Sequence, residues 1–183
     1  MNRTCRAAKH TRCRGFTLLE ASIVVTLVSL GVAVAIPSYH GLLQRQRESA
    51  TTNLITSFMA SARSTAISYH TPTVVCPYDG LKGCRADSDW TQGWMMFYDP
   101  DGNRQPDLPD EILRMEHAPR DAGLRIVSTS GRPRATFLAN GSAAGSNLTI
   151  RLCQGSTTRA AVIVNRSGRA RVERAPDDGA CAD

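Results

Sequence analysis

Apolar side chains near the N-terminus form one long run. Residues 16–36 carry a single charge, that of Glu20, and the next charged residue is Arg45. About 20 apolar residues are enough for a helix to cross a bilayer. Residues 16–37 are therefore predicted to be a transmembrane helix. A carboxylate inside such a segment is costly, so Glu20 is expected to have a function.

The pattern changes twice further along the chain. Apolar residues with a helical period predict that residues 38–71 continue as an amphipathic helix, and they stand at positions 54, 55, 58, 59, 62 and 66. Pro72 disfavours helix in the preceding residue. Beyond it, seven or eight short β-like runs alternate with turn signals, at 73–76, 94–98, 112–115, 124–127, 135–138, 148–152, 161–164 and 170–172.

These elements predict an α+β fold. A long N-terminal helix, half membrane-spanning and half amphipathic, is expected to pack on an antiparallel β-sheet head formed by residues 72–183. The packing face of that helix is the apolar stripe of its second half.

Charge is distributed unevenly around the formal net value of +6. The first 15 residues carry basic side chains and no acid. Residues 122–175 hold nine arginines and one acid, Glu173, which gives this segment a formal charge of +8. Such a segment is either an anion-binding surface or a solvated basic face that offsets the acidic residues elsewhere.

The start of the apolar run resembles a known processing site. A basic leader is followed by Gly15-Phe16-Thr-Leu-Leu-Glu20, as in type IV pilins and type II secretion pseudopilins. The resemblance implies that residues 1–15 are a prepilin leader, that a prepilin peptidase cuts after Gly15, and that Phe16 is then methylated. It also implies that Glu20 pairs with the N-terminal amine of a neighbouring subunit, since opposite charges cost less together than apart in an apolar bundle. A plain membrane anchor and a snorkelling Glu20 are the alternatives.

A central block narrows the resemblance. The sequence from Trp90 to Asp99, then Asp101-Gly-Asn103 and the residues from Glu111 to Arg114, resembles the FimT/GspH group of minor pilins and pseudopilins. This implies a pilin-like fold, other pilins as partners in a filament whose core includes the helix at residues 16–37, and a single-pass protein in the inner membrane. Its head would lie in the periplasm before assembly into a pilus.

Four cysteines remain beyond the leader, which itself contains Cys5 and Cys13. An even number in an exported head suggests disulfides, and four cysteines allow three connectivities. The favoured pairing joins Cys76 to Cys84 across a short loop, and Cys153 to Cys181 to fix the tail to a strand. A zinc site is the rival, but the ligand spacing is poor.

The C-terminal stretch Asn165-Arg-Ser-Gly168-Arg169-Ala-Arg171-Val-Glu-Arg174 suggests phosphate binding. Gly168 permits a tight turn, and in a strand that follows it the side chains of Arg169 and Arg171 share a face. Paired guanidiniums suit adjacent phosphates by charge and by forked donors. The predicted contacts comprise Arg132, Arg134, Arg166, Gly168, Arg169, Arg171 and Arg174.

Gly168-Arg169-Ala170-Arg171 also resembles the Gly-Arg-x-Arg signature of the FimT branch, which implies DNA binding during natural transformation. No aromatic residue interleaves with these arginines, so binding is expected to be backbone-driven, salt-sensitive and indifferent to sequence. The alternatives are a GspH-like pseudopilin of a type II secretion system, and a structural minor pilin whose arginines are merely solvated.

Catalytic and metal chemistry are not expected. The four histidines are scattered, no Ser/His/Asp or Cys/His arrangement has supporting context, and no cofactor is predicted. The loop from Asp99 to Asp110 places oxygen ligands as a calcium loop does. It lacks the usual glycine at its sixth position, where Arg104 stands, and contains three prolines, so an ordinary turn between two strands is favoured.

Overall fold

The computed structural model describes residues 17–78, 80–81, 83–118, 123–174 and 181. One helix, α1 (Leu18–Tyr69), precedes the strands β1 (Thr73–Pro77), β2 (Gly93–Tyr98), β3 (Ile112–His117), β4 (Leu124–Ser128), β5 (Ala135–Phe137), β6 (Leu148–Gln154), β7 (Thr157–Val164) and β8 (Ala170–Arg174). A 3₁₀ turn (Pro109–Glu111) leads into β3. The predicted α+β fold, with its long helix and antiparallel strands, is confirmed.

The strands of the described chain form two four-stranded antiparallel sheets, with the orders β3-β2-β1-β5 and β4-β6-β7-β8. Sequence patterns located each strand to within a few residues but did not supply this order. The largest difference is at β7, which begins at Thr157 rather than Ala161. Thr158 and Ala160 are buried and continue the alternation of the later apolar residues toward the start of the strand.

The chain divides into two compact units, Met1–Gln44 and Arg45–Asp183. In the first unit, α1 exposes most of its apolar side chains, and Leu18 is 91% exposed. Among the described residues, no helix combines the length and the hydropathy needed to cross a membrane. The single-pass span predicted for residues 16–37 is therefore not confirmed.

The second unit, called the C-terminal unit below, contains its own core. The predicted apolar stripe of α1 buries Ile55, Phe58, Met59, Ala62 and Ala66 against residues of both sheets. A smaller cluster on the other face of the first sheet contains Val74, Met95 and Phe97. Both clusters lie wholly within Arg45–Asp183, so this unit has the buried apolar surface that a folded domain needs.

Two disulfides reinforce the C-terminal unit. Cys76 of β1 is bonded to Cys84, with Cα atoms 5.5 Å apart. Cys153 of β6 is bonded to Cys181, with Cα atoms 5.9 Å apart, which fixes a residue near the C-terminus to the second sheet. This is the connectivity that the sequence analysis favoured.

Replacing Phe58 by alanine is expected to destabilise the C-terminal unit by about 3–5 kcal/mol, since it removes a large side chain from a well-packed core. The Phe58 ring is fully buried and meets Trp94 edge-on, with centroids 6.3 Å apart. Urea unfolding measures the loss. Ser57→Ala, at an exposed neighbouring position on the same helix, is the control and should change stability by less than about 0.5 kcal/mol. Equal losses in the two variants would contradict the described packing.

Candidate nucleic-acid interface

The arginine-rich motif forms the hairpin between β7 and β8. The Asn165 side chain organises the turn: its Oδ1 accepts hydrogen bonds from the Arg169 amide at 3.0 Å and from the Ser167 hydroxyl at 2.8 Å. The Gly168 amide donates to the Asn165 carbonyl at 2.9 Å. Gly168 has a φ of +76°, in the left-handed region that favours glycine. The predicted tight turn is present, and these bonds fix its shape.

The turn also packs closely on two other segments. A Cβ at Gly168 would overlap the carbonyl oxygen of Gly141 and lie 3.0 Å from Nε of Arg63. That Nε donates to the same Gly141 oxygen at 2.8 Å. The Ala143 amide donates to the Arg166 carbonyl at 3.0 Å. These contacts hold helix α1, the loop 138–146 and the β7–β8 turn together. The contact formed by Arg63, Gly141 and Gly168 is called the clasp below.

Four of the predicted phosphate-binding arginines lie exposed at this hairpin, namely Arg166, Arg169, Arg171 and Arg174. Arg169 immediately precedes β8, and its carbonyl accepts a hydrogen bond from the Asn165 amide at 3.1 Å. The shared face of Arg169 and Arg171 stays a prediction. Arg171 Nη2 forms an ion pair with Glu173 Oε1 at 2.7 Å, and this pair partly offsets its charge.

Arg169 lines an open groove of about 430 Å³ between the turn and α1. The opposite wall is formed by helix residues that include Thr56, Arg63, Ser64 and Ile67. The guanidinium of Arg169 makes no hydrogen bond or ion pair with any described residue. The turn thus presents the guanidinium of Arg169 in the same groove as Arg63 of the helix.

Arg132 and Arg134 are bound to the protein itself. Arg132 donates to the Ala144 carbonyl at 3.0 Å and to the Ser146 hydroxyl, and Arg134 donates to the Arg104 carbonyl at 2.9 Å. Burial lowers the pKa of Arg134, and the charge of Arg104 lowers it further, yet an arginine remains charged at neutral pH. Both line a second cavity of about 630 Å³ that also contains Asp99.

The acidic loop is organised by its own hydrogen bonds. Asp99, Asp101 and Glu111 accept from backbone amides of Arg104, Asn103 and Asp107 respectively. Asp107 accepts from the Asn103 side chain. Among the described residues, no group of three or more His, Cys, Asp or Glu side chains is placed to hold a metal ion. The described hydrogen bonds use the carboxylates of Asp99, Asp101, Asp107 and Glu111 as acceptors within the loop.

At the N-terminus, Gly15 and Phe16 lie outside the described residues. Glu20 is exposed in the first turn of α1, and its amide donates to Thr17 Oγ1 at 3.2 Å. Thr17 thus caps the helix, and an acid in the first turn is favourable beside the positive end of the helix dipole. The spacing Thr17-x-x-Glu20 is a helix-start signal that the sequence analysis overlooked.

Sequence reasoning also missed Arg63 and Gly141, two of the three residues that form the clasp. Arg63 stands beside the apolar stripe of α1, where an arginine is usually a solvated flanking residue. Gly141 belongs to Asn140-Gly141, a common turn pair that indicates a loop but not its contact. No local signal connects two residues 78 positions apart.

Comparison with known proteins places these features in context. Residues 51–168 match the family model described as type II transport protein GspH, and residues 10–36 match the prokaryotic N-terminal methylation motif. None of the curated proteins matches the chain.

Two crystal structures of the type IV minor pilin FimU from Pseudomonas aeruginosa PAO1 are similar. The P21 form is 22% identical, covers 76% of this chain and 98% of its own, and has a TM-score of 0.60. The P65 form is 21% identical, covers 73% and 99%, and has a TM-score of 0.56. At this identity the likeness concerns the fold, and it confirms the pilin-like architecture.

Replacing Gly168 by alanine is expected to be more costly than the same change at Gly155, in the β6–β7 turn. Both residues have positive φ, +76° and +57°, so each change incurs about 1–2 kcal/mol of backbone strain. A Cβ at Gly155 meets open space, whereas one at Gly168 overlaps the clasp, which adds at least about 1 kcal/mol. Urea unfolding of both variants measures the difference, and equal losses would mean that the clasp is not tight.

Proposed function

The chain belongs to the GspH family of type II transport proteins; from its likeness in fold to the type IV minor pilin FimU, we propose that it is a minor pilin of a type IV pilus. Its C-terminal unit binds DNA during DNA uptake, without sequence preference, and the protein contributes to pilus assembly. The family is one of filament subunits, and packing against other pilins follows from membership in it. The observation that carries the DNA proposal is the exposed guanidinium of Arg169, presented by a turn whose position the clasp fixes.

Electrostatics support a polyanionic partner. The formal charge of +8 on residues 122–175 includes five exposed arginines of the β7–β8 hairpin, namely Arg159, Arg166, Arg169, Arg171 and Arg174. Duplex DNA carries one negative charge per about 1.7 Å of helix axis, and arginines that neutralise phosphates release counterions. The hairpin offers guanidiniums but no aromatic side chain, so it contacts the phosphate backbone and does not stack on bases.

The residues of the hairpin have different roles in this proposal. Gly168 places the turn, Arg169 contacts phosphate directly, and Arg166 and Arg174 add flanking charge. Arg171 shares its charge with Glu173, so it contributes less than Arg169.

Arg132 and Arg134 lie beside the loop 138–146, and their donors are partly engaged with carbonyl oxygens. They contribute long-range attraction rather than tight contacts.

The N-terminal segment supports assembly. The matched methylation motif agrees with cleavage of a leader, residues 1–15, by a prepilin peptidase and with methylation of Phe16. Exposed apolar side chains along α1 need an apolar surrounding, which the inner membrane provides before assembly and neighbouring pilins provide in the filament core. Glu20 pairs there with the N-terminal amine of an adjacent subunit.

This assignment places the C-terminal unit in the periplasm and then on an extracellular or periplasmic pilus. The two disulfides agree with such an oxidising environment.

A second candidate is a GspH-like pseudopilin of a type II secretion system, which the name of the matched family favours. In that role the same N-terminal helix assembles the secretion pseudopilus, and the C-terminal unit contacts protein. Because Arg171 is paired with Glu173 and Arg159 lies 3.9 Å from Glu48, part of the basic charge is offset locally. DNA binding by the C-terminal unit distinguishes the two roles.

The proposal predicts that the C-terminal unit binds a short mixed-sequence duplex and that affinity falls steeply with salt. Arg169→Gln/Arg171→Gln is expected to weaken binding roughly 100-fold at low salt, since two charge-assisted contacts are lost. It should also lower the salt slope by between about 1 and 2, because Arg171 shares its charge with Glu173. Fluorescence anisotropy at several salt concentrations measures both quantities.

The control is Arg47→Gln/Arg85→Gln, which removes the same charge outside residues 122–175 and is expected to change affinity less than roughly threefold. No binding by the wild-type unit at low salt would support the pseudopilin instead. Equal weakening by both double variants would mean that net charge, not the hairpin, attracts the DNA.

A further inference from the structure

The groove between α1 and the β7–β8 turn suggests one more residue that contacts DNA. This inference rests on the proposed function. We propose that this groove is a seat for one DNA phosphate, held between Arg169 of the turn and Arg63 of the helix. Arg63 lies outside the arginine-rich segment and outside any motif in the sequence.

A hydrogen bond already restrains the side chain of Arg63 at the groove. Its Nε donates to the Gly141 carbonyl at 2.8 Å, and the side chain is half-buried beside Gly168. This bond uses only one of the five guanidinium donors, and the Nη atoms make no hydrogen bond with any described residue. A guanidinium fixed at Nε loses little further conformational entropy when its Nη atoms bind a phosphate oxygen.

The composition of the groove favours an anion. Two arginines, Arg63 and Arg169, line it, and its described lining includes no acidic side chain. Ser64 adds a hydroxyl that can donate to an oxygen of the same phosphate. The cavity that contains Arg132 and Arg134 is larger, but Asp99 lines it too, and a carboxylate repels phosphate. The groove is therefore the better seat.

The volume is also suitable. About 430 Å³ of open space exceeds the size of a single phosphate group and leaves room for the attached sugars. A duplex whose backbone enters the groove brings its neighbouring phosphates toward the exposed arginines of the hairpin. The helix then forms one wall of the DNA-binding surface.

The test is duplex binding by Arg63→Gln in the C-terminal unit. The expected result is a roughly tenfold loss of affinity at low salt and a salt slope lower by about 1. Arg47→Gln is the matched control, because it removes the same charge from the same helix about 24 Å away at 1.5 Å per residue. It should leave the slope unchanged.

Arg63→Lys separates phosphate binding from a structural role. Lysine keeps the charge but cannot both hold Gly141 through Nε and offer forked donors, so the phosphate seat predicts that the salt slope is retained while affinity falls modestly. If Arg63 acted only by positioning the turn, Lys and Gln would weaken binding equally, and the inference would be overturned. Thermal unfolding of each variant shows whether the fold is kept.

The inference and the proposed function fail in different ways. If the wild-type unit binds no duplex, both are overturned. If Arg169→Gln weakens binding but Arg63→Gln behaves like Arg47→Gln, the proposed function stands and the seat does not exist.

Discussion

The candidate interface depends on the hydrogen bond from Arg63 Nε to the Gly141 carbonyl. This bond joins helix α1 to the loop 138–146, and the β7–β8 turn fits against both because Gly168 has no side chain. Without it, the loop 138–146 would lose its side-chain hydrogen bond to α1, and the turn would be held to that loop by the bond from the Ala143 amide to the Arg166 carbonyl. With the Arg63 bond, the arginine-bearing turn is fixed against α1, which also contributes to the core. The entropic cost of ordering the turn is then largely met on folding rather than on binding.

The same constraint explains why glycines stand in this part of the chain. Gly141 and Gly168 both have positive φ, and a Cβ on either would overlap a neighbour. The glycine of the Gly-Arg-Ala-Arg motif is therefore required by packing as well as by turn conformation. A sequence motif that suggests DNA binding can thus contain a residue whose direct effect is structural. In this hairpin that residue is Gly168, which stands next to the exposed Arg169.

Much of the fold was predictable because it follows from local periodicity. The apolar stripe from Ile55 to Ala66 and the alternating runs after Pro72 fixed the helix and the strands to within a few residues. Sheet order was not predictable, since it depends on contacts between distant strands. At the site, the turn at Gly168 was anticipated, but the Arg171–Glu173 pair and the contribution of Arg63 depend on side-chain directions and on a contact across 78 residues. Local patterns do not contain such information.

In the proposed complex, DNA contacts the turn and the adjoining face of α1 together. Amide chemical shifts of the isotope-labelled C-terminal unit, followed by NMR during titration with a short duplex, locate the contact surface directly. We expect shifts concentrated at residues 56–67, 141–143 and 165–171, which diminish together as salt is added. Shifts confined to the first sheet, or spread evenly over the exposed arginines with none on the helix, would contradict it.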